Sequence, residues 1–131
     1  GLYGLSGGSN DMRTLLNSIT AGDERSRLAV EVFCYRARKY IGAYWAALGR
    51  LDALIFTGGI GQNAALVRQM ICERLDAMGC DLDETGNLAL GGREGLISTP
   101  NSRVAIWVIP TNEELLIARD TYRVVHGLHL P

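Results

Sequence analysis

Apolar positions along the chain recur at helical or strand spacing between breaks of glycine and small polar residues. After the glycine- and serine-rich segment Gly1–Asn10, Met12, Leu15, Leu16 and Ile19 form a short period-3.6 run with Ser9, Asn10 or Asp11 as its N-cap, so the spacing predicts a loop feeding a short helix. Ala21-Gly22 interrupts the pattern. Beyond Asp23 and Glu24, the positions Ala29, Phe33, Ala37, Tyr40, Tyr44 and Leu48 predict one apolar, core-facing side of a long helix ending near Gly49, with Arg27, Glu31, Arg38 and Gly42 opposite. Asp52–Thr57 is too apolar to alternate and predicts a strand buried on both faces, as in a largely parallel sheet. Val67, Ile71, Leu75 and Met78 trace a further helix closed by Gly79. Cys80–Thr99 reads as an irregular, β-containing excursion with a polar turn at Asp83–Asn87, and Pro100-Asn101-Ser102 as a turn. Val104–Ile109 predicts a second buried strand. Thr111 with Glu114 three residues on has the form of a capping box, opening a last amphipathic helix through Leu115, Leu116, Ala118, Tyr122 and Val125. Helices alternating with buried strands give an α/β class.

Composition narrows the function. The chain has 131 residues, 47% of them apolar, which suits one domain with a real core. Thirteen basic against fourteen acidic residues leave a net charge of −1 and no footprint for nucleic acid or a membrane surface, so the expected partner is a small molecule. Cys34, Cys72 and Cys80 are an odd set without CxxC spacing, which predicts reduced thiols rather than a disulfide or zinc framework. No apolar run approaches the ~18 residues of a membrane span, and a soluble, cytoplasmic protein is expected. A chain that opens at a glycine-rich Gly1 without methionine reads as a fragment.

The candidate chemistry centres on Leu54–Asn63, where an apolar strand runs into Gly58, Gly59 and Gly61 and then into a helix. Glycines there let a ligand approach the backbone at the positive end of a helix, which suits a nucleotide. Three readings are open. Gly59-Ile60-Gly61-Gln62-Asn63-Ala64 satisfies the dinucleotide fingerprint G-x-G-x-x-A, with Asp81 at the expected distance of about 20 residues, although Gly79–Asp83 offers a poor second strand. A Walker A loop lacks its Lys-Ser or Lys-Thr. The third reading is a tight turn alone.

Four motifs taken together add a resemblance. Ser6–Arg13 (SGGSNDMR), Arg38–Tyr44 (RKYIGAY), Phe56–Asn63 (FTGGIGQN) and Val108–Leu115 (VIPTNEEL) resemble, in order and across nearly the whole chain, the C-terminal part of acetate kinase and its relative propionate kinase. The resemblance implies an α/β, ribonuclease-H-like domain of the actin-like ATPase superfamily, partial, with a mixed sheet and helices packed on it. Residues 1–131 would then be the C-terminal nucleotide-binding domain of an acetokinase-like protein. It implies reversible phosphoryl transfer between ATP and a short-chain carboxylate, giving ADP and an acyl phosphate, with Mg2+ as cofactor and a homodimer as the assembly.

By the same resemblance Gly58, Gly59, Ile60, Gly61, Gln62 and Asn63 look like the adenosine-binding motif, and Asp11, Met12 and Arg13 match the segment flanking adenine and ribose from the other side. Glu113 matches the magnesium-associated acid, whereas Glu114 belongs to the capping box. The family usually has Glu where this chain has Gln62, which keeps the shape of the turn and removes a charge. The carboxylate site, the phosphate loops and the reacting Arg and His side chains would lie upstream, so no catalytic residue is assigned here and the isolated chain is expected to be inactive. The rival class is a non-catalytic nucleotide-binding or interaction module. His126 and His129, spaced i,i+3 near the end, read as a solvated face, and Arg25, Arg27, Arg36, Arg38 and Lys39 as solubilising or paired across a dimer interface.

Overall fold

The computed structural model describes residues 1–128, which leaves His129 outside it, and its frame is one long helix, α3 (Glu24–Leu48). Local signals fix both ends of α3. The Asp23 carboxylate accepts from the Arg25 and Ser26 amides at 3.2 Å each, and Gly49 closes the helix in the left-handed conformation. Two shorter helices, α1 (Leu2–Ser6) and α2 (Met12–Thr20), pack on α3. Beyond α3 the chain runs through β1 (Ala53–Phe56), α4 (Gly58–Asn63), α5 (Ala65–Cys72), a 3-10 turn at Asp76–Met78, α6 (Glu84–Ala89), β2 (Gly95–Leu96), β3 (Ala105–Val108) and α7 (Glu113–Val125).

The sheet is mixed, in the order β1-β3-β2. β1 and β3 are parallel, from Ala53 opposite Ala105 to Phe56 opposite Val108, and β2 is antiparallel to β3. Leu15 of α2, Ala29, Val30 and Cys34 of α3, Val67 and Ile71 of α5, and Ile97, Ile106 and Val108 by the sheet form one buried cluster. Each large aliphatic side chain there contributes roughly 1.5–3 kcal/mol through removal from water.

Several local expectations change. Gly1–Asn10 is not all loop, because Leu2 packs on the core and a helix forms up to Gly7. The apolar side of α3 is core only in its first half: Tyr40, Tyr44 and Leu48 are exposed. Neither β1 nor β3 is buried on both faces: Ile55 and its partner Trp107 are exposed on one side of the sheet, while Phe56, Ile106 and Val108 are buried on the other. The helix expected from Val67 to Met78 stops at Cys72, and Arg74 takes a positive φ of 64° before the 3-10 turn closes on Gly79. The polar turn at Asp83–Asn87 is helix α6, capped by Asp83, whose carboxylate accepts from the Gly86 amide at 3.0 Å. The last helix has Asn112, not Thr111, at its N-cap: the Asn112 side chain accepts from the Leu115 amide at 3.0 Å, which puts Glu114 at the second helical position and leaves no capping box. Its apolar residues Leu115, Leu116, Ile117, Tyr122, Val124 and Val125 are exposed. Arg38 does more than cover the surface. It lies half-buried against the end of α5, donating to the carbonyls of Ile71 at 3.2 Å and Met70, and it pairs with Glu73 at 3.4 Å.

All three cysteines are free and buried. Burial pushes the Cys34 thiol up to about 11, and burial together with the neighbouring Cys80 pushes Cys72 up to about 12. Cys80 is also raised, by burial and then by Asp81. Native protein at pH 8 is therefore expected to react with a thiol reagent at none of the three, and at all three in denaturant. Between about pH 9 and 11 the unfolded chain loses thiol protons that the folded chain keeps. Stability measured by urea unfolding should fall there by about 1.4 kcal/mol per pH unit for each of Cys34 and Cys72, and not rise.

Candidate functional site

β1 ends at Phe56, Thr57 continues in extended conformation as the N-cap of α4, and Gly58 then turns the chain with φ 67°, a left-handed value that an L side chain rarely adopts. The glycine stretch is not a turn preceding a helix but is itself the short helix α4. Gly61 sits so close to β1 that a Cβ would come within 3.1 Å of the Phe56 carbonyl carbon, so α4 can lie flat against the strand end only without a side chain there.

Apolar burial holds α4 only through Ile60, which packs partly on the core; none of its residues is fully buried. Its backbone is gripped instead by Arg68 of α5, only 1% exposed. The guanidinium donates from one terminal nitrogen to the carbonyls of Gly61 at 2.9 Å and Gln62 at 2.7 Å, and from its other nitrogens to Oδ1 and the carbonyl of Asn87 at 2.7 and 3.0 Å. Asn87, fully buried in α6, donates in turn to the Ala65 carbonyl at 3.0 Å. Because α4 breaks at Ala64 (φ −106°, ψ 82°), the Gly61 and Gln62 carbonyls face the negative end of a short helix, where a cation is favourable. Burial pushes the Arg68 pKa down from its ordinary value, yet the group remains charged. Among the described residues, none of its hydrogen-bond partners is a carboxylate.

The opposite wall is the start of α2. Ser6, buried, accepts from the amides of Gly8 and Ser9 at 3.2 Å each and donates to the Ser9 carbonyl at 2.9 Å, which laces the glycine-serine segment into a fixed turn. Asp11 then caps α2: its carboxylate accepts from the Arg13 amide at 3.0 Å and the Thr14 hydroxyl at 3.2 Å, with the Arg13 guanidinium 3.8 Å away and largely in solvent.

Between these walls lies a cleft of about 520 Å³, lined by Asn10, Asp11, Met12, Arg13, Leu16 and Asn17 on one side and Gly59, Ile60, Asn63 and Ala64 on the other. Of the residues singled out in the sequence, the fold thus joins Asp11, Met12 and Arg13 to Gly59, Ile60 and Asn63. Gly58, Gly61 and Gln62 shape the wall from behind. Gln62 faces away, its amide donating to the Gly92 carbonyl at 2.8 Å, and Asn63 donates back to the Gly59 carbonyl at 3.0 Å. Glu113, the first residue of α7, is exposed and is not part of the cleft lining. No three His, Cys, Asp or Glu side chains gather into a metal cage among the described residues. A lone exposed carboxylate suits a Mg2+ that keeps its waters and takes its remaining ligands from phosphates. Asp81 adjoins no strand beside β1. Its neighbour Leu82 only bridges to Ser98, and the strand next to β1 is β3, which removes the second strand that a dinucleotide fold requires. The spacing of Asn10, Leu16, Asn17, Arg68 and Asn87 did not mark them for the site. The available signal for Arg68 was its position inside the apolar stripe of Ala64, Val67, Ile71, Cys72 and Leu75.

Comparison with known proteins supplies relatives. The sequence model of the Acetokinase family matches residues 1–119. The acetate kinase of Solibacter usitatus (strain Ellin6076) is 55% identical over 128 residues, covering 97% of this chain and 31% of that protein. The acetate kinase of Thermotoga maritima is 49% identical over 130 residues, 98% of this chain and 32% of its own length. Among solved structures, Porphyromonas gingivalis acetate kinase superposes with a TM-score of 0.87 at 42% identity, covering 95% of this chain and 31% of that one. A propionate kinase from Francisella tularensis subsp. tularensis SCHU S4 gives a TM-score of 0.80 at 42% identity, with 91% and 30% covered. The chain spans about a third of the length of the curated relatives it matches, and its mixed sheet with packed helices has the ribonuclease-H-like, actin-like ATPase fold.

The bond from Gln62 to Gly92 needs an amide donor, which a carboxylate lacks. Gln62→Glu is expected to lower stability by about 1 kcal/mol in urea unfolding near neutral pH. That loss should shrink below pH 5, where the carboxyl regains a proton that it can donate.

Proposed function

The chain belongs to the acetokinase family, and from that premise we propose that it is the adenosine-binding, C-terminal part of an ATP-dependent acetate or propionate kinase. The cleft between α2 and α4 is the observation that supports the reading, because it draws Asp11–Arg13 and Gly59, Ile60 and Asn63 from distant parts of the sequence around a space fit for a nucleoside. Met12, Leu16 and Ile60 offer apolar surface to the base, and Asn10, Asn17 and Asn63 offer amides to its edge and to the ribose. Asp11 has a carboxylate that already caps α2, so it fixes the rim and adds charge beside the ribose, while the exposed guanidinium of Arg13 is free to reach toward it. Gly58 and Gly61 keep the wall close to the strand end.

Transfer of a phosphoryl group to a carboxylate oxygen depends chiefly on alignment and on neutralising charge. Glu113 would hold Mg2+, whose contribution when bound is to offset the charge of the phosphate chain. In this reading the chain grips the nucleotide at its adenosine end, and the carboxylate site and the groups on the transferred phosphate belong to the rest of a protein of the relatives' length. The protein works as a cytoplasmic homodimer, for which the exposed Tyr40, Tyr44 and Leu48 of α3 offer apolar surface. Among the described residues no helix is long and apolar enough to cross a membrane. The same exposed surface, together with that of α7, favours as a second reading a non-catalytic interaction module. Mass measurement in solution, showing a defined dimer or open-ended association, separates the two.

The 131-residue chain alone is expected to show no acetate-dependent formation of ADP and to hold ATP weakly or not at all; clear turnover would overturn the placing of the reacting groups outside this chain. In a protein of the relatives' length that carries this chain, Glu113→Ala should raise the Mg2+ concentration required for half-maximal turnover. An unchanged magnesium dependence would remove Glu113 from the metal site.

A further inference from the structure

The hub beneath α4 is an unusual use of charge. Arg68 is buried in a helix whose neighbouring positions are Val67, Ile71 and Cys72, and its guanidinium makes four hydrogen bonds without touching a carboxylate. Burying a lone charge is costly, and a well-packed apolar residue would serve stability as well or better. What an apolar residue could not do is hold two orphan carbonyls of α4 at a fixed distance from α6. The guanidinium is a rigid planar fork, and here its prongs divide between the two elements, Gly61 and Gln62 on one side and Asn87 on the other. Gln62, with its bond to the Gly92 carbonyl, adds a second tie from α4 to the segment following α6. The cleft residues Gly59, Ile60 and Asn63 are thus carried by a helix whose one apolar anchor is the partly buried Ile60 and whose C-terminal end is held by main-chain polar bonds.

We infer that Arg68 and Asn87 are positioning residues of the cleft, fixing α4 so that Gly59, Ile60 and Asn63 stand where a nucleoside meets them; the inference rests on the adenosine reading given above. Neither residue touches the ligand. Arg68 acts through α4, and Asn87 acts through Arg68, whose fork it orients from behind. Small displacements of a binding wall are enough to lose much of its affinity, so the effect should be seen in binding before it is seen in folding.

The test uses Arg68→Lys, which keeps the charge and loses the fork, Asn87→Ser, which removes the acceptor for Nε, and Val30→Ala in the core of α3 as a control for stability alone. In a protein of the relatives' length that carries this chain, amide hydrogen exchange is followed by mass spectrometry of peptides, without and with ADP at millimolar concentration. Exchange at Gln62, Asn63 and Ala64 should quicken at least about tenfold in Arg68→Lys and Asn87→Ser while α3 and β3 keep their protection, and Val30→Ala should leave the α4 amides unchanged. ADP should slow exchange across Met12–Asn17 and Gly59–Ala64 in the parent and in Val30→Ala, and much less in the two hub variants. Folded hub variants with parental α4 exchange and parental protection by ADP would overturn the inference. If Arg68→Lys does not fold, Asn87→Ser carries the same comparison. A parent whose α4 amides are protected but gain nothing from ADP would count against the adenosine reading, and the exchange result would then decide the role of the hub by itself.

Discussion

A buried guanidinium that finds only carbonyl and amide oxygens is the constraint on which the arrangement of this chain turns. Without Arg68 the end of α4 would present two buried-side carbonyls with no donor, and the fully buried Asn87 of α6 would lose the donor to its Oδ1. The remaining elements are held by ordinary means. The long helix α3 packs through Ala29, Val30 and Cys34 against α2 and α5, and the three short strands are closed by backbone bonds over Ile106 and Val108. The hub is where polar bonding, rather than the hydrophobic effect, decides where a helix lies.

The two walls of the cleft follow different physical logic. The α2 wall is self-sufficient: Ser6 laces the turn, and Asp11 spends its carboxylate on the helix start. The α4 wall depends on distant residues, since none of its six residues is fully buried and three of them are glycine. Besides the partial packing of Ile60 on the core, its contact with Phe56 and its bonds to Arg68 and Gly92 hold it in place. One face of the cleft is therefore encoded locally and the other by tertiary structure.

That difference decides what could be read from the sequence. The helix from Glu24 to Leu48 was legible because its spacing and both caps, Asp23 and Gly49, are local. The strands ending at Phe56 and Val108 were legible as apolar runs before glycine or proline, and their parallel pairing followed from the helices between them. The family, too, was legible, from four motifs spread along the chain. The helical state of Gly58–Asn63 was not, because glycine disfavours a helix and only the outside support of Arg68 makes one there. Helix α6 was hidden for the same reason: Asp83–Asn87 has the composition of a turn, and burial of Asn87 against Arg68 tips it to helix. The cap of α7 was misjudged by one residue because Thr111 and Asn112 are both good caps, and no local rule chooses between them. Arg68 was missed because an arginine in an apolar stripe reads as a blemish in the pattern rather than its purpose.

Gripping a helix by its carbonyl oxygens has an evolutionary corollary. Every residue type carries that oxygen, so the hub imposes no demand on the side chains at positions 60 and 63, which face the cleft. The framework and the ligand-facing surface can accordingly vary apart: substitutions at Ile60 or Asn63 would be filtered by what they contact in the cleft, while Arg68, Asn87 and Gly61 would be filtered by geometry alone. A scaffold of this kind can change its preference for a bound molecule without first having to rebuild itself.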